Sequence, residues 1–152
     1  MSYVLHQELT ELDQPVLVVH LSGWIDASGA GAAALAAIDA ECDTTLLATF
    51  DGDAFIDYRA RRPTMELRDG VNTKLVWDDI ELRVGRDDNK RAVATLTGPE
   101  PDSRWREFGK AVTQLAQQLG VRQMVALGAY PYATPHTRPP RLSSSSPSAE
   151  VL

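Results

Sequence analysis

The 152-residue chain is 43% hydrophobic, enough for a packed core, and its length suits one domain. A formal net charge of -6 excludes broad nucleic-acid binding and attraction to an anionic membrane surface, both of which rest on lysine and arginine. The single cysteine, Cys42, rules out an intrachain disulfide and suits a reducing compartment. No apolar run nears the ~20 residues of a membrane span, and the acid-bearing N-terminus MSYVLHQELTELDQP is unlike a signal peptide, so the expected location is cytoplasmic.

In chain order, PVLVVHL (15–21) is a short β-branched run and predicts a buried strand. SGAGAAALAAIDAE (28–41) predicts a helix capped by Ser28 or Asp26, with alanines that let it lie close to a sheet. TTLLATF (44–50) predicts a second buried strand and completes a βαβ-sized unit. TMELRDG, TKLVW, DIELRVGR and KRAVATLTG are short strands separated by Asp-Gly, Asp-Asp and Asp-Asn turns, which predicts a β-hairpin excursion between residues 64 and 90. The last of them returns to the central sheet.

After Pro101, Asp102 is positioned to cap a helix whose stripe is Trp105, Phe108, Val112, Leu115 and Leu119, with Gly120 as its C′ residue. Trp105 is expected to be buried as the first member of that stripe. RQMVALGAY (122–130) predicts another buried strand, and the tail TRPPRLSSSSPSAEVL predicts disorder. The residues alone therefore predict α/β with a mostly parallel core sheet.

LSGWIDASGAGAA (21–33) formally contains the dinucleotide fingerprint, as Gly29-x-Gly31-x-x-Ala34, with Asp51 at the end of the next strand in the place of a ribose-binding acid. Seven residues, Ser22 to Ser28, separate the strand from Gly29, and Asp26 among them would repel a phosphate. The glycines then serve a structural turn. His20 in its apolar strand reads as a hydrogen-bonded core residue. The chain has no His-x-x-x-His or Cys-x-x-Cys spacing, so no metal and no cofactor are expected. Cys42 follows a helix and reads as an inert small hydrophobe. Two charged clusters remain. FDGDAFIDYRARRP (50–63) sets Asp51, Asp53 and Asp57 beside Arg59, Arg61 and Arg62, and GPEPDSRWREFG (98–109) sets Glu100 and Asp102 beside Arg104 and Arg106. Both begin at the carboxyl end of a predicted strand, where ligands of open α/β sheets bind. Dense opposite charge predicts that Asp57 pairs with Arg59, Arg62 or an arginine of the second cluster.

Four motifs in order, GWIDASGAG (23–31), FDGDAFIDYRARRP (50–63), GPEPDSRW (98–105) and LGAYPYATPHTRP (127–139), resemble the proteasome assembly chaperone 2 family in its bacterial branch. The resemblance implies a three-layer α/β/α phosphorylase-like fold with a mixed sheet and, set beside the composition of the tail, divides the chain into a domain over residues 1–139 and a disordered Ser/Pro-rich tail over 140–152. It implies a turn in which Gly23 permits the strand exit, Trp24 anchors the loop and Asp26 caps the helix. Family members continue beyond the His-Thr-Arg-Pro motif, so this chain reads as incomplete on the C-terminal side, with an uncovered strand at 122–128 that favours self-association. The family's chaperones dock on the proteasome ring through a hydrophobic-tyrosine-any tail; here Glu150-Val151-Leu152 has valine in the tyrosine position.

The expected function is accordingly a non-catalytic protein-interaction or proteasome-assembly-chaperone-like role. The expected partners are proteins, including proteasome subunits or a second copy in a homo-oligomer, and neither nucleic acid nor membrane. The candidate functional cluster is Trp24, Asp26, Asp57, Arg59, Arg62, Glu100, Arg104, His136 and Arg138. The alternative is a phosphorylase-like or ligase-like small-molecule enzyme or binder. In it arginines would hold an anion, and Asp57, Glu100 or His136 would move a proton.

Overall fold

The computed structural model describes residues 2–24 and 26–148; the terminal Glu150-Val151-Leu152 lies outside them. The chain runs β1 (Tyr3–Leu5), β2 (Val16–Ser22), α1 (Ala30–Glu41), β3 (Thr45–Phe50), α2 (Gly52–Phe55), β4 (Thr64–Arg68), β5 (Val71–Val76), β6 (Glu81–Arg86), β7 (Ala92–Pro99), α3 (Trp105–Gln118) and β8 (Gln123–Ala126). Six strands form one sheet in the order β1-β3-β6-β7-β2-β8. β2 pairs in parallel with β7 and β8, whereas β3–β6, β6–β7 and β1–β3 are antiparallel. The sheet is thus mixed rather than mostly parallel. β2 and β3 point the same way but are not neighbours, because β6 and β7 lie between them.

Alternation along the strands sends successive side chains to opposite faces. On one face Leu17 of β2, Leu82 of β6 and Leu96 of β7 meet Phe108, Ala111 and Leu115 of α3, all nearly inaccessible to solvent. Phe50, Phe55 and Phe108 form an aromatic trio with ring centroids 4.9–6.4 Å apart. The apolar stripe of α3 explains why this helix packs there, and burying each such side chain stabilises the fold by roughly 1.5–3 kcal/mol. Its end is a Schellman motif: Gly120, at φ 73°, donates to Gln117, and Val121 donates to Ala116. The opposite face carries α1, whose alanine content brings it close to β2 and β7. There the buried Leu35 is joined by polar contacts: the Thr95 and Thr44 hydroxyls both donate to Asp39 Oδ1, at 2.6 and 2.7 Å.

Four expectations change. Trp105 is half exposed, at 51%, and packs edge-to-face on Phe108 from outside the core, because it is the first residue of α3 and overhangs the sheet. Asp102 does not cap α3; the N-cap is Arg104 and the Asp102 carboxylate is engaged elsewhere. The hairpin excursion is shorter, only β4 and β5 around an Asp69-Gly70 turn with both φ positive, since β6 belongs to the main sheet. The strand after α3 is not buried: all four β8 residues are exposed, Met124 at 62%, because it pairs only with β2 at the sheet edge. Residues 140–148 contain no helix or strand, and among the described residues no helix is long and apolar enough to cross a membrane.

Candidate functional site

The strands β2, β3, β7 and β8 all end at one rim of the sheet, since β2, β7 and β8 are parallel and β3 is related to them by two antiparallel pairings. All four sequence motifs therefore converge on this rim. The β2–α1 connection carries the first. Asp26 sits there and its two carboxylate oxygens accept hydrogen bonds from the backbone N–H groups of Gly31 and Ala32, both 3.0 Å. These bonds, first that from Gly31, hold the Asp26 carboxyl below the usual carboxylate range. The N-cap residue is Gly29, and the Asp26 side chain, rather than that of Ser28, satisfies the first N–H groups of α1. An acid occupying the N–H groups at the start of α1 takes the place that a pyrophosphate would need, which disposes of the dinucleotide fingerprint.

Beneath the cap lies His20, 2% exposed. Its Nδ1 is 3.3 Å from the Leu127 carbonyl, and its Nε2 is 3.3 Å from Asp26 Oδ2 but not aligned for a hydrogen bond. Gly31 makes this approach feasible: a Cβ there would lie 2.7 Å from His20 Nδ1. At Gly23, just after the same strand, a Cβ would meet only the end of the flexible Glu100 side chain, which can swing aside. Beyond Leu127 the chain bonds back to the same loop, with the Ala27 N–H donating to the Ala129 carbonyl at 2.8 Å.

The two charged clusters are stitched together across the next strand ends. The Asp102 carboxylate accepts from the Asp57 N–H at 2.9 Å and from Arg61 Nε at 3.2 Å. Arg61 also lies 4.0 Å from Glu100. The Asp102 and Ser103 N–H groups donate to the Phe55 carbonyl. The Asp57 carboxylate accepts from the Arg59 backbone N–H, and its backbone carbonyl accepts from the Ala60 and Arg61 N–H groups. The predicted link between clusters exists, but through Arg61 and Asp102 instead of Asp57 with Arg59 or Arg62; among the described residues neither of those two arginines forms an ion pair. Being partly exposed, the Arg61–Asp102 pair contributes about 1 kcal/mol or less. Arg104 pairs with Glu107, which also accepts from Ser2, and its guanidinium stands 6.0 Å from the Phe55 ring centre.

Aromatic side chains surround these charges. Trp24 is 87% exposed, and Trp77, Trp105, Tyr130 and Tyr132 are each about half exposed or more. Trp77 leans edge-to-face on Tyr58, with ring centroids 4.8 Å apart. Trp24 thus stands out from its loop. His136 and Arg138 lie on the exposed stretch that follows Tyr132, where Arg138 donates its N–H to Pro135. The candidate cluster drawn from the sequence includes Asp57 and Glu100 but omits Arg61, Asp102 and Trp77. Arg61 stands among three arginines of equal chemistry, and only the fold distinguishes it. Trp77 offered a signal, a tryptophan directly before the acidic pair Asp78-Asp79.

A mixed six-stranded sheet between helical layers, with an arginine- and aromatic-rich carboxyl rim, defines an α/β/α domain that presents its loops on one side. The chain belongs to the PAC2 family, whose model matches residues 20–152. It is similar to a crystal structure of a protein of unknown function from Corynebacterium glutamicum, at 35% identity and TM-score 0.84, over 91% of this chain and 53% of that one. A protein of unknown function from Mycobacterium tuberculosis is similar at 40% identity and TM-score 0.82, over 91% of this chain and 50% of that one. A proteasome-assembly chaperone homologue, also from Mycobacterium tuberculosis, is similar at 34% identity and TM-score 0.77, over 82% and 53%. The chain spans about half the length of these structures. No curated protein matches it.

Proposed function

We propose that this chain is a non-catalytic protein-interaction domain that acts in the manner of an assembly chaperone, with proteasome subunits as its partners. The observation that carries the proposal is the composition of the carboxyl rim, where three exposed tryptophans and two exposed tyrosines stand among arginines. Tryptophan, tyrosine and arginine are the residues in which protein interfaces concentrate their binding energy. The similarity to a proteasome-assembly chaperone homologue supports the choice of partner. The charged groups support binding over chemistry, because Arg61 is engaged by Asp102 and Glu100, and Arg104 by Glu107, rather than turned together towards one reacting atom. The exposed edge of β8 supports self-association as a further property, since an unpaired strand edge is a template for another strand.

The test is affinity capture from the native cell with the full chain as bait, in parallel with a Trp24→Ala/Trp105→Ala variant. Enrichment of proteasome subunits by the parent and their loss from the variant is the expected result. Equal recovery by both, or none by either, overturns the assignment. The mass of the purified chain at low micromolar concentration tests self-association, and a monodisperse monomer sinks it.

A further inference from the structure

The hairpin arm of β4 and β5 stands apart from the rest of the chain. Among the described residues its two strands pair only with each other, and every residue from Thr64 to Leu75 is exposed. Met65, Leu67, Val71 and Leu75 are each about half exposed or more. A two-stranded hairpin on its own is only marginally stable in water, and further strands or a covering helix are what secure it. The arm lacks such a neighbour.

Its two outer edges are not alike. Glu66 pairs with Lys74 and Leu67 with Asn72, so Thr73 is an extra residue on β5 that breaks the regular spacing. A bulge of this kind bends its strand and spoils it as a template for another. β4 has no extra residue. The Thr73 hydroxyl donates to the Glu66 carbonyl at 3.1 Å, which shows that the backbone groups of Glu66 face β5. Successive residues alternate, so the N–H and C=O groups of Met65 and Leu67 face outward. Among the described residues, none from Thr64 to Arg68 makes a backbone hydrogen bond outside the hairpin.

Charge selects what can pair there. The chain carries a net charge of -6, yet residues 64–76 set two acids, Glu66 and Asp69, against two bases, Arg68 and Lys74. The excess negative charge lies elsewhere, so two copies of the chain repel each other least at this arm. Neither Glu66 nor Arg68 forms an ion pair among the described residues. A two-fold axis at an antiparallel edge places each residue opposite one that points to the same face of the sheet. Centred on Leu67, it sets Leu67 against its own copy and Glu66 against Arg68 of the second copy, twice over. Centred on Glu66, it would set two glutamates face to face. Like charges directly opposite destabilise a sheet, and opposite charges stabilise it.

We infer that β4 is an edge-to-edge contact between two copies of this chain, paired antiparallel about Leu67 into a four-stranded sheet. Met65 and Leu67 of both copies line one face of the join, and Glu66 and Arg68 pair across it on the other. The inference rests on the self-association proposed above and places it on the arm rather than on β8.

The experiment is sedimentation velocity of the full chain from low to high micromolar concentration, over which the parent should pass from monomer to dimer. Arg68→Glu, which sets glutamate against glutamate, should weaken the dimer by about tenfold or more. Glu66→Lys/Lys74→Glu, which keeps opposite charges within the hairpin but sets lysine against arginine between copies, should do the same. An equimolar mixture of the two variants should recover the parent's association, because each offers the other the opposite charge, and that recovery requires both to be folded. A mixture that stays monomeric while the parent dimerises overturns the proposal, as does an undiminished dimer of Arg68→Glu. Met124→Lys, which blunts the β8 edge, separates the two readings. Association lost in Met124→Lys and kept in Arg68→Glu overturns the contact at β4 and leaves self-association through β8 standing, whereas a parent that is monomeric at every concentration overturns both.

Discussion

The two faces of the central sheet are built on different principles. The α3 face is a continuous apolar contact in which Phe50, Phe55 and Phe108 interlock with leucines from the sheet. The α1 face buries less, and there a small-residue helix lies over His20, Thr95 and Thr44, each with a polar group to satisfy. Packing on the first face carries the stability. The second face gives up some stability to its polar groups. One sheet can thus be apolar on one side and polar on the other, because alternate residues of the same strands belong to different layers.

The contrast can be broken most forcefully at Phe108. Phe108→Ala should cost about 3–5 kcal/mol, as truncations of buried aromatics do, and chemical denaturation would read it as a lowered midpoint with an unchanged slope. On the other face Asp39→Ala should cost about 2 kcal/mol, because it strands the inaccessible Thr95 hydroxyl. A smaller loss than that at Phe108 supports the division between the faces; an equal or larger one ends it. Trp105→Ala, which trims the outer margin of the aromatic cluster, should cost only about 1 kcal/mol.

Two acids sharpen the contrast through pH. The pKa of Asp79 is raised on folding, so the native state holds its proton more tightly than the unfolded chain does. Its contribution to stability therefore falls as pH rises through that window, and at neutral pH it opposes folding. Asp79→Asn should raise the melting temperature at pH 7 by about a degree or two, an advantage that vanishes in acid. Asp26 has the opposite sign. Its lowered pKa means that its contribution is present above the ordinary carboxylate range and is lost as pH falls through the lowered value. Melting curves of Asp26→Asn against the parent should differ at pH 7 and converge in acid.

Much of the apolar face was legible in advance. The spacing from Phe108 to Leu119 forms a helical stripe, and Gly120 after it ends the helix as a left-handed C′ residue. Trp105 fits the same spacing but lies outside the core, because periodicity marks a side of a helix and says nothing of how far along its axis the sheet extends. Strand order was illegible for a related reason. Residues 15–50 look like an uninterrupted βαβ unit, and only the antiparallel return of β6 and β7 shows that two strands enter between β2 and β3. At the rim, Asp26 as helix cap could be read from its chemistry and position. The choice of Arg61 over Arg59 and Arg62 could not, since it depends on where the loop places three like side chains against Asp102.

The parallel pairing of β2 has a consequence during synthesis. Val16 finds its partners at Val93 on one side and at Gln123 on the other. At ribosomal speeds of roughly 5–20 residues per second, the first of those partners is made about 4–15 s after β2 itself. Throughout that interval VLVVHLS is an apolar strand with both edges open, in a chain whose early helix, α1, is mostly alanine and offers little to shield it. The nascent chain is therefore most vulnerable to misassembly before residue 92 is made, and a factor that covers β2 co-translationally would act within that interval.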